Sequence, residues 1–115
     1  MKTIITIISA FLLTASGQMA KAQQDKCYYF CFSKPITTDT TNFVLYTDIK
    51  DTLCTVMDEG SIAKRWAEYV NRRCKTVGDC SSDLNYYRSK EDAQKNLENA
   101  INQYRTYFKL EKVKL

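Results

Sequence analysis

The stretch KCYYFCFS, residues 26–33, combines four aromatic side chains with two cysteines and contains no Gly, Pro, Asn or Asp. This composition favours a β-strand and disfavours a turn. In a strand, Cys27 and Cys31 share one face, and their Cα atoms lie about 13 Å apart at about 3.3 Å per residue. Because a disulfide needs Cα atoms within about 7 Å, these cysteines do not bond to each other. The stretch is therefore predicted to be neither a redox centre nor a zinc knuckle.

Three further stretches have the composition of strands. They are FVLYTDI at residues 43–49, LNYYR at residues 84–88 and KLEKVKL at residues 109–115. The first two are rich in β-branched or aromatic residues, and the third alternates apolar and charged ones.

Two segments have the spacing of amphipathic helices. The first begins at Ser61, and its apolar stripe consists of Ile62, Trp66, Tyr69, Val70 and Cys74. The second begins at the capping box Ser89-Lys90-Glu91-Asp92, and its stripe consists of Ala93, Leu97, Ala100, Ile101 and Tyr104. A single apolar stripe predicts that each helix packs one side against a sheet.

The element order β-β-α-β-α-β predicts an α+β fold, with a four-stranded, mostly antiparallel sheet and two helices on one face. The first two strands are expected to form an antiparallel hairpin. The helix within residues 84–115 lies between two strands, which predicts a crossover that pairs those strands in parallel.

A signal peptide is predicted at residues 1–22. Lys2 precedes an apolar run that is too short to span a bilayer, and Ala20-Lys21-Ala22 matches a signal peptidase site. Cleavage after Ala22 would leave one small α+β domain, residues 23–115, without a membrane span. The expected location is the periplasm or the exterior of the cell.

The charge of the predicted mature chain argues against nucleic acid as a partner. The whole chain has 17 basic and 13 acidic side chains. Loss of residues 1–22 removes two lysines and no acid, so the net charge falls from +4 to +2. Such a small excess on an exported protein predicts no nucleic-acid binding.

Five cysteines follow residue 22, and in an oxidising compartment most of them are expected to pair. Cys54 is a suitable mate for Cys27 or Cys31, and Cys74 could bridge Cys80 across the turn at Gly78. An odd number leaves at least one thiol unpaired or bonded to another chain, so a dimer through that cysteine is an open alternative. The best candidate for the unpaired thiol is Cys27 or Cys31.

The sequence contains no histidine, which removes the usual general base and the commonest zinc ligand. None of the cysteines or carboxylates lies in a recognisable catalytic or metal-binding pattern. We therefore predict that the protein is not an enzyme and assign it no metal and no cofactor.

The tyrosines give the only candidate ligand-binding residues. If helices cover one sheet face with Phe30, Phe32 and Leu45, the other face carries Tyr29 and Tyr46, together with Tyr86 or Tyr87. Exposed tyrosines on an open sheet could stack against sugar rings or contact a protein. The alternative is that these rings shield a thin core or a disulfide.

The last 29 residues, Tyr87 to Leu115, resemble the second half of a SPOR domain. The matching positions are Tyr87, Arg88, Ser89, Asp92, Ala93, Leu97 and Val113. The resemblance implies a four-stranded sheet with two helices that binds peptidoglycan strands on the sheet. The opening hairpin and the five cysteines differ from that family. The whole chain also resembles small exported bacterial proteins, a similarity that implies only a fold.

These observations predict a non-catalytic, exported binding module of the bacterial cell envelope, with an envelope glycan or another protein as ligand. The alternative is a structural or regulatory protein that assembles through an edge strand or an intermolecular disulfide.

Overall fold

Strand β1, Lys26–Ser33, lies inside the sheet and pairs with three other strands. The computed structural model describes residues 25–36, 41–74 and 78–115, so the predicted signal peptide lies outside the described residues. Along one edge of β1 lies β4, Asp83–Tyr87, with Phe30 opposite Asn85. Along the other edge lie β2, Phe43–Thr47, and then β3, Lys50–Leu53. All three pairings are antiparallel.

Within the residues that the structure describes, the sheet has five strands and is mixed, so the predicted four-stranded sheet is wrong in its strand count while the α+β class is confirmed. The predicted strand at residues 43–49 ends at Thr47. There the Thr47 hydroxyl accepts a hydrogen bond from the Cys31 backbone N–H at 2.9 Å and donates one to the Asp48 carbonyl at 3.0 Å. A side chain thus replaces a backbone partner in the ladder, and the chain resumes pairing as β3.

The strand β5, Lys109–Val113, pairs in parallel with β2, with Leu45 opposite Glu111. The crossover rule predicted that β5 would pair with β4, and that prediction is wrong. The two strands are parallel in direction but lie at opposite sides of the sheet, separated by β1 and β2.

Helices α1, Glu59–Arg73, and α2, Lys90–Tyr104, lie on opposite faces of the sheet, so the prediction of two helices on one face is wrong. On the α1 face, Trp66 and Val70 pack with sheet residues Cys31, Leu45 and Val113. The α2 face is built from Phe30, Phe32 and Val44, with these partly buried neighbours among others: Tyr46, Tyr87, Leu97, Ala100 and Tyr104.

The two-sided core follows from the strands themselves. Val44 and Leu45 are adjacent, so they point to opposite faces, and each is 0% exposed. Strands that are apolar on both faces require cover on both. The register, with Phe32 opposite Tyr46, also places Phe30 and Phe32 on the face of Val44. The sequence analysis predicts them on the face of Leu45, and that prediction is wrong.

Polar caps fix the beginnings of both helices. The Ser89 hydroxyl accepts a hydrogen bond from the Asp92 N–H at 3.2 Å, which confirms the predicted start of α2. For α1 the cap is Asp58, whose carboxylate accepts from the Ser61 N–H at 3.1 Å, so the helix begins two residues before the predicted Ser61. On the sheet side, the Trp66 indole N–H donates to the Phe32 carbonyl at 3.2 Å.

Two disulfides join Cys27 to Cys54 and Cys74 to Cys80. Cys31 is free and buried, which confirms that one thiol of the KCYYFCFS stretch is unpaired. Two disulfides indicate an oxidising, extracytoplasmic compartment. Among the described residues, no helix is long and apolar enough to cross a membrane.

The two disulfides are expected to contribute unequally to stability. They join residues 27 and 6 positions apart, and loop-closure entropy predicts about 3.5 and about 2.2 kcal/mol respectively. Replacing both Cys27 and Cys54 by Ala should therefore lower the free energy of unfolding more than replacing both Cys74 and Cys80. Urea denaturation without reductant measures the difference, and a larger loss from the Cys74–Cys80 pair would contradict the prediction.

Candidate functional site

A groove with a volume of about 300 Å³ opens between α2 and the strands β1 and β4. Strand alternation turns every second residue of β1 and β4 toward it, and α2 turns one polar stripe toward it. The sheet contributes Phe30 and Phe32 of β1, Lys34 just after β1, and Asp83, Asn85 and Tyr87 of β4. The helix α2 contributes Asn96, Asn99, Ala100, Gln103 and Tyr104.

Aromatic rings form the base and two sides of the groove. Phe30 and Phe32 are 2% and 5% exposed. Tyr87 stacks on Phe30 with ring centroids 6.1 Å apart, and Tyr104 lies tilted against Phe32 at 5.8 Å. Burial raises the pKa of Tyr87, and the Asp92 carboxylate raises it further. These contacts hold the rings of Tyr87 and Tyr104 against the two phenylalanines.

Amide side chains line the upper part of the groove. On α2, Asn96, Asn99 and Gln103 follow one another at intervals of three and four residues, which places them on one side of the helix. Asn85 faces them from β4. Within the described part of the chain, no hydrogen bond uses the side chains of Asn85, Asn99 or Gln103. Asn96 donates to the Asp92 carbonyl at 2.8 Å.

One cation and one anion lie at the same end of the groove. The Lys34 ammonium is 5.6 Å from the centre of the Tyr104 ring. A hydrogen bond with the Tyr104 hydroxyl raises the pKa of Lys34, and the Asp83 carboxylate adds to that effect. The two formal charges offset each other, so the lining has no net charge. The groove is equipped to stack against a flat apolar surface and to exchange hydrogen bonds with a polar, uncharged ligand.

The four tyrosines predicted to bind a ligand are divided between the two faces of the sheet. Tyr29 and Tyr86 are opposite each other on β1 and β4, on the α1 face. Tyr46 and Tyr87 pack on the α2 face. Only Tyr87 lines the groove, so the structure does not bring Tyr29 and Tyr46 together on one surface. Because α1 and α2 each cover a face, the open sheet that was to carry them does not exist.

The polar stripe of α2 is the part of the groove that sequence reasoning missed. The signal was present, since amides recur at positions 96, 99 and 103 at helical spacing. These amides lie beside the apolar stripe of the same helix, and an exposed polar stripe of this kind is also typical of a solvated helix face.

The free cysteine lies on the other face, beneath α1. Cys31 is 2% exposed and borders a small cavity with Lys50, Arg65 and Thr47. Burial raises the pKa of the Cys31 thiol to about 11, although Lys50 and Arg65 act in the opposite direction. The sulfur is therefore protonated at neutral pH and is not presented to a second chain, which counts against the intermolecular disulfide.

Cys31 is expected to react slowly with iodoacetamide while the protein is folded. A pKa of about 11, against an ordinary 9.0, leaves about a hundredfold less thiolate at pH 8. Mass spectrometry should show labelling at least about a hundred times slower in buffer than in urea without reductant. The Cys31→Ala variant, which should take up no label, is the control. Equal rates in buffer and urea would contradict the burial of this thiol.

Comparison of the chain with protein-family models, with curated proteins and with solved structures finds no match in any of the three.

Proposed function

We propose that the protein is a non-catalytic, exported binding module of the bacterial cell envelope that holds a neutral glycan in the groove between α2 and β4. The observation that carries the proposal is the row of unpaired amides above an aromatic base. The sequence resemblance to SPOR domains is consistent with this ligand class.

The aromatic base suits the apolar face of a sugar ring. Tyr87 stacks nearly parallel to Phe30, with an angle of 18° between the ring planes, and because Phe30 is only 2% exposed the accessible flat surface of this pair is the Tyr87 ring. A sugar ring that stacks on this aromatic surface replaces water contacts by contacts with carbon atoms. The entropic cost is small because the aromatic side chains are already ordered.

The amides suit the hydroxyl and amide groups of a glycan. Each of Asn85, Asn99 and Gln103 offers a carbonyl acceptor and two N–H donors, so each can bond a group that both donates and accepts. Since these side chains have no intramolecular bond to break, a ligand does not have to displace one. Asp83 can accept from a further hydroxyl.

The size, charge and setting of the groove support the same class of ligand. About 300 Å³ lies at the lower end of the range for small-molecule sites, which suits one or two rings of a chain that continues into solvent. The offsetting charges of Lys34 and Asp83 favour a ligand without net charge. The two disulfides fit a protein that works where envelope glycans are found.

Removal of two groove amides should weaken glycan binding by about fivefold to a hundredfold. Each lost hydrogen bond is worth about 0.5–1.5 kcal/mol, and 1.4 kcal/mol corresponds to a factor of ten. The test compares the Asn99→Ala/Gln103→Ala variant with the wild type by isothermal titration calorimetry. The probe is a soluble, uncharged N-acetylglucosamine oligomer, because peptide-free peptidoglycan strands carry a carboxylate on each muramic acid.

The matched control is Gln94→Ala/Asn102→Ala, which removes the same two residue types from exposed positions of α2 outside the groove. Both double variants place Ala in a helix and should fold equally well. The control should bind as the wild type does. Equal weakening by the two variants would exclude the groove as the site, and no binding by the wild type to any glycan strand would refute the proposed function.

A further inference from the structure

The two charged residues at one end of the groove are held on neighbouring chain segments. The Ser81 N–H donates to the Lys34 carbonyl at 2.8 Å, and the Ser81 hydroxyl accepts from the Lys34 N–H at 3.1 Å, so Lys34 lies opposite Ser81. Asp83 lies opposite Phe32 in the same antiparallel pairing. Lys34 and Asp83 are therefore diagonal neighbours, a relation that places two residues about 7–8 Å apart. Both side chains line the groove.

These two charges are close but do not form an ion pair. The Lys34 ammonium lies over the Tyr104 ring, 5.6 Å from its centre, and donates a hydrogen bond to the Tyr104 hydroxyl. Of the ion pairs that the described residues form, none involves Lys34 or Asp83. Both residues are exposed. A ligand that enters this end of the groove therefore meets an ammonium and a carboxylate that are each still able to bind it.

An open pair of this kind distinguishes a hydroxyl from a carboxylate. A sugar hydroxyl can accept a hydrogen bond from Lys34 and a neighbouring one can donate to Asp83, so an uncharged sugar uses both groups. A ligand carboxylate can accept from Lys34, but it has no proton to donate to Asp83 and is repelled by it. Without Asp83, the attraction of a carboxylate to Lys34 would be unopposed at this end of the groove.

We propose that Asp83 is the specificity-determining residue of the groove. By opposing the charge of Lys34, it makes the groove select uncharged sugars over sugars that carry a carboxylate, such as uronic acids. This inference rests on the proposed function, because it concerns the ligands of the same groove. A single substitution, Asp83→Asn, should then shift the preference of the groove toward carboxylate-bearing glycans.

The test is isothermal titration calorimetry with two ligands of nearly equal shape. One is the uncharged N-acetylglucosamine oligomer, and the other is the same oligomer with its 6-hydroxymethyl groups oxidised to carboxylates. The quantity compared is the dissociation constant of the oxidised oligomer divided by that of the uncharged one. Asp83→Asn should lower this ratio about fivefold and Lys34→Gln should raise it about fivefold, the size expected for one partly exposed charge at close range. Both changes should largely vanish in about 1 M salt, where charges are screened beyond about 3 Å.

The matched control is Glu98→Gln, which removes the same charge from an exposed position of α2 outside the groove and should leave the ratio unchanged. Asp83→Asn keeps the shape of the side chain and one acceptor oxygen, so the uncharged oligomer should still bind. A wild-type ratio of one or less overturns the inference, and so does a ratio that Asp83→Asn lowers no more than Glu98→Gln does. In both cases the proposed function stands, whereas a wild type that does not bind the uncharged oligomer refutes both.

Discussion

The hydrogen bond from the Cys31 N–H to the Thr47 hydroxyl is the contact on which the arrangement of the sheet depends. It lies where β2 ends, within the length of the eight-residue β1. Because a side chain satisfies the backbone donor there, the ladder can stop and restart, and β2 and β3 share one edge of β1 in turn. β1 therefore has partners along both edges. Thr47 is only 2% exposed, so its hydrogen bond to β1 lies inside the protein.

A strand paired on both edges must be covered on both faces unless one of them is polar. β1 has large or apolar side chains on each, with Phe30 and Phe32 on one and Cys27 and Cys31 on the other, all at most 5% exposed. The two amphipathic helices supply that cover from opposite sides. The Trp66 indole bond to the Phe32 carbonyl ties α1 to the same strand. The three-layer arrangement is thus a consequence of the composition of KCYYFCFS.

Local features of the fold could be predicted from the sequence, and long-range ones could not. The Ser89 cap of α2, the apolar stripes of both helices and the free thiol among the first two cysteines follow from neighbours in the chain. Whether Val44 or Leu45 faces a given helix depends on register, and a shift of one residue exchanges the faces. The interruption at Thr47 changes the register of pairing with β1 between β2 and β3, and no local sequence pattern predicts that change.

The groove opens where the apolar stripe of α2 ends and its polar side chains face the sheet. Its stripe of Ala93, Leu97 and Ala100 brings the helix close to β1, since two of these side chains are small. Toward β4 the facing residues are Asn99, Gln103, Asp83 and Asn85, which gain nothing from packing together without hydrogen bonds. The polarity that keeps this side of the helix from sealing against the sheet is also what gives the groove its hydrogen-bonding groups.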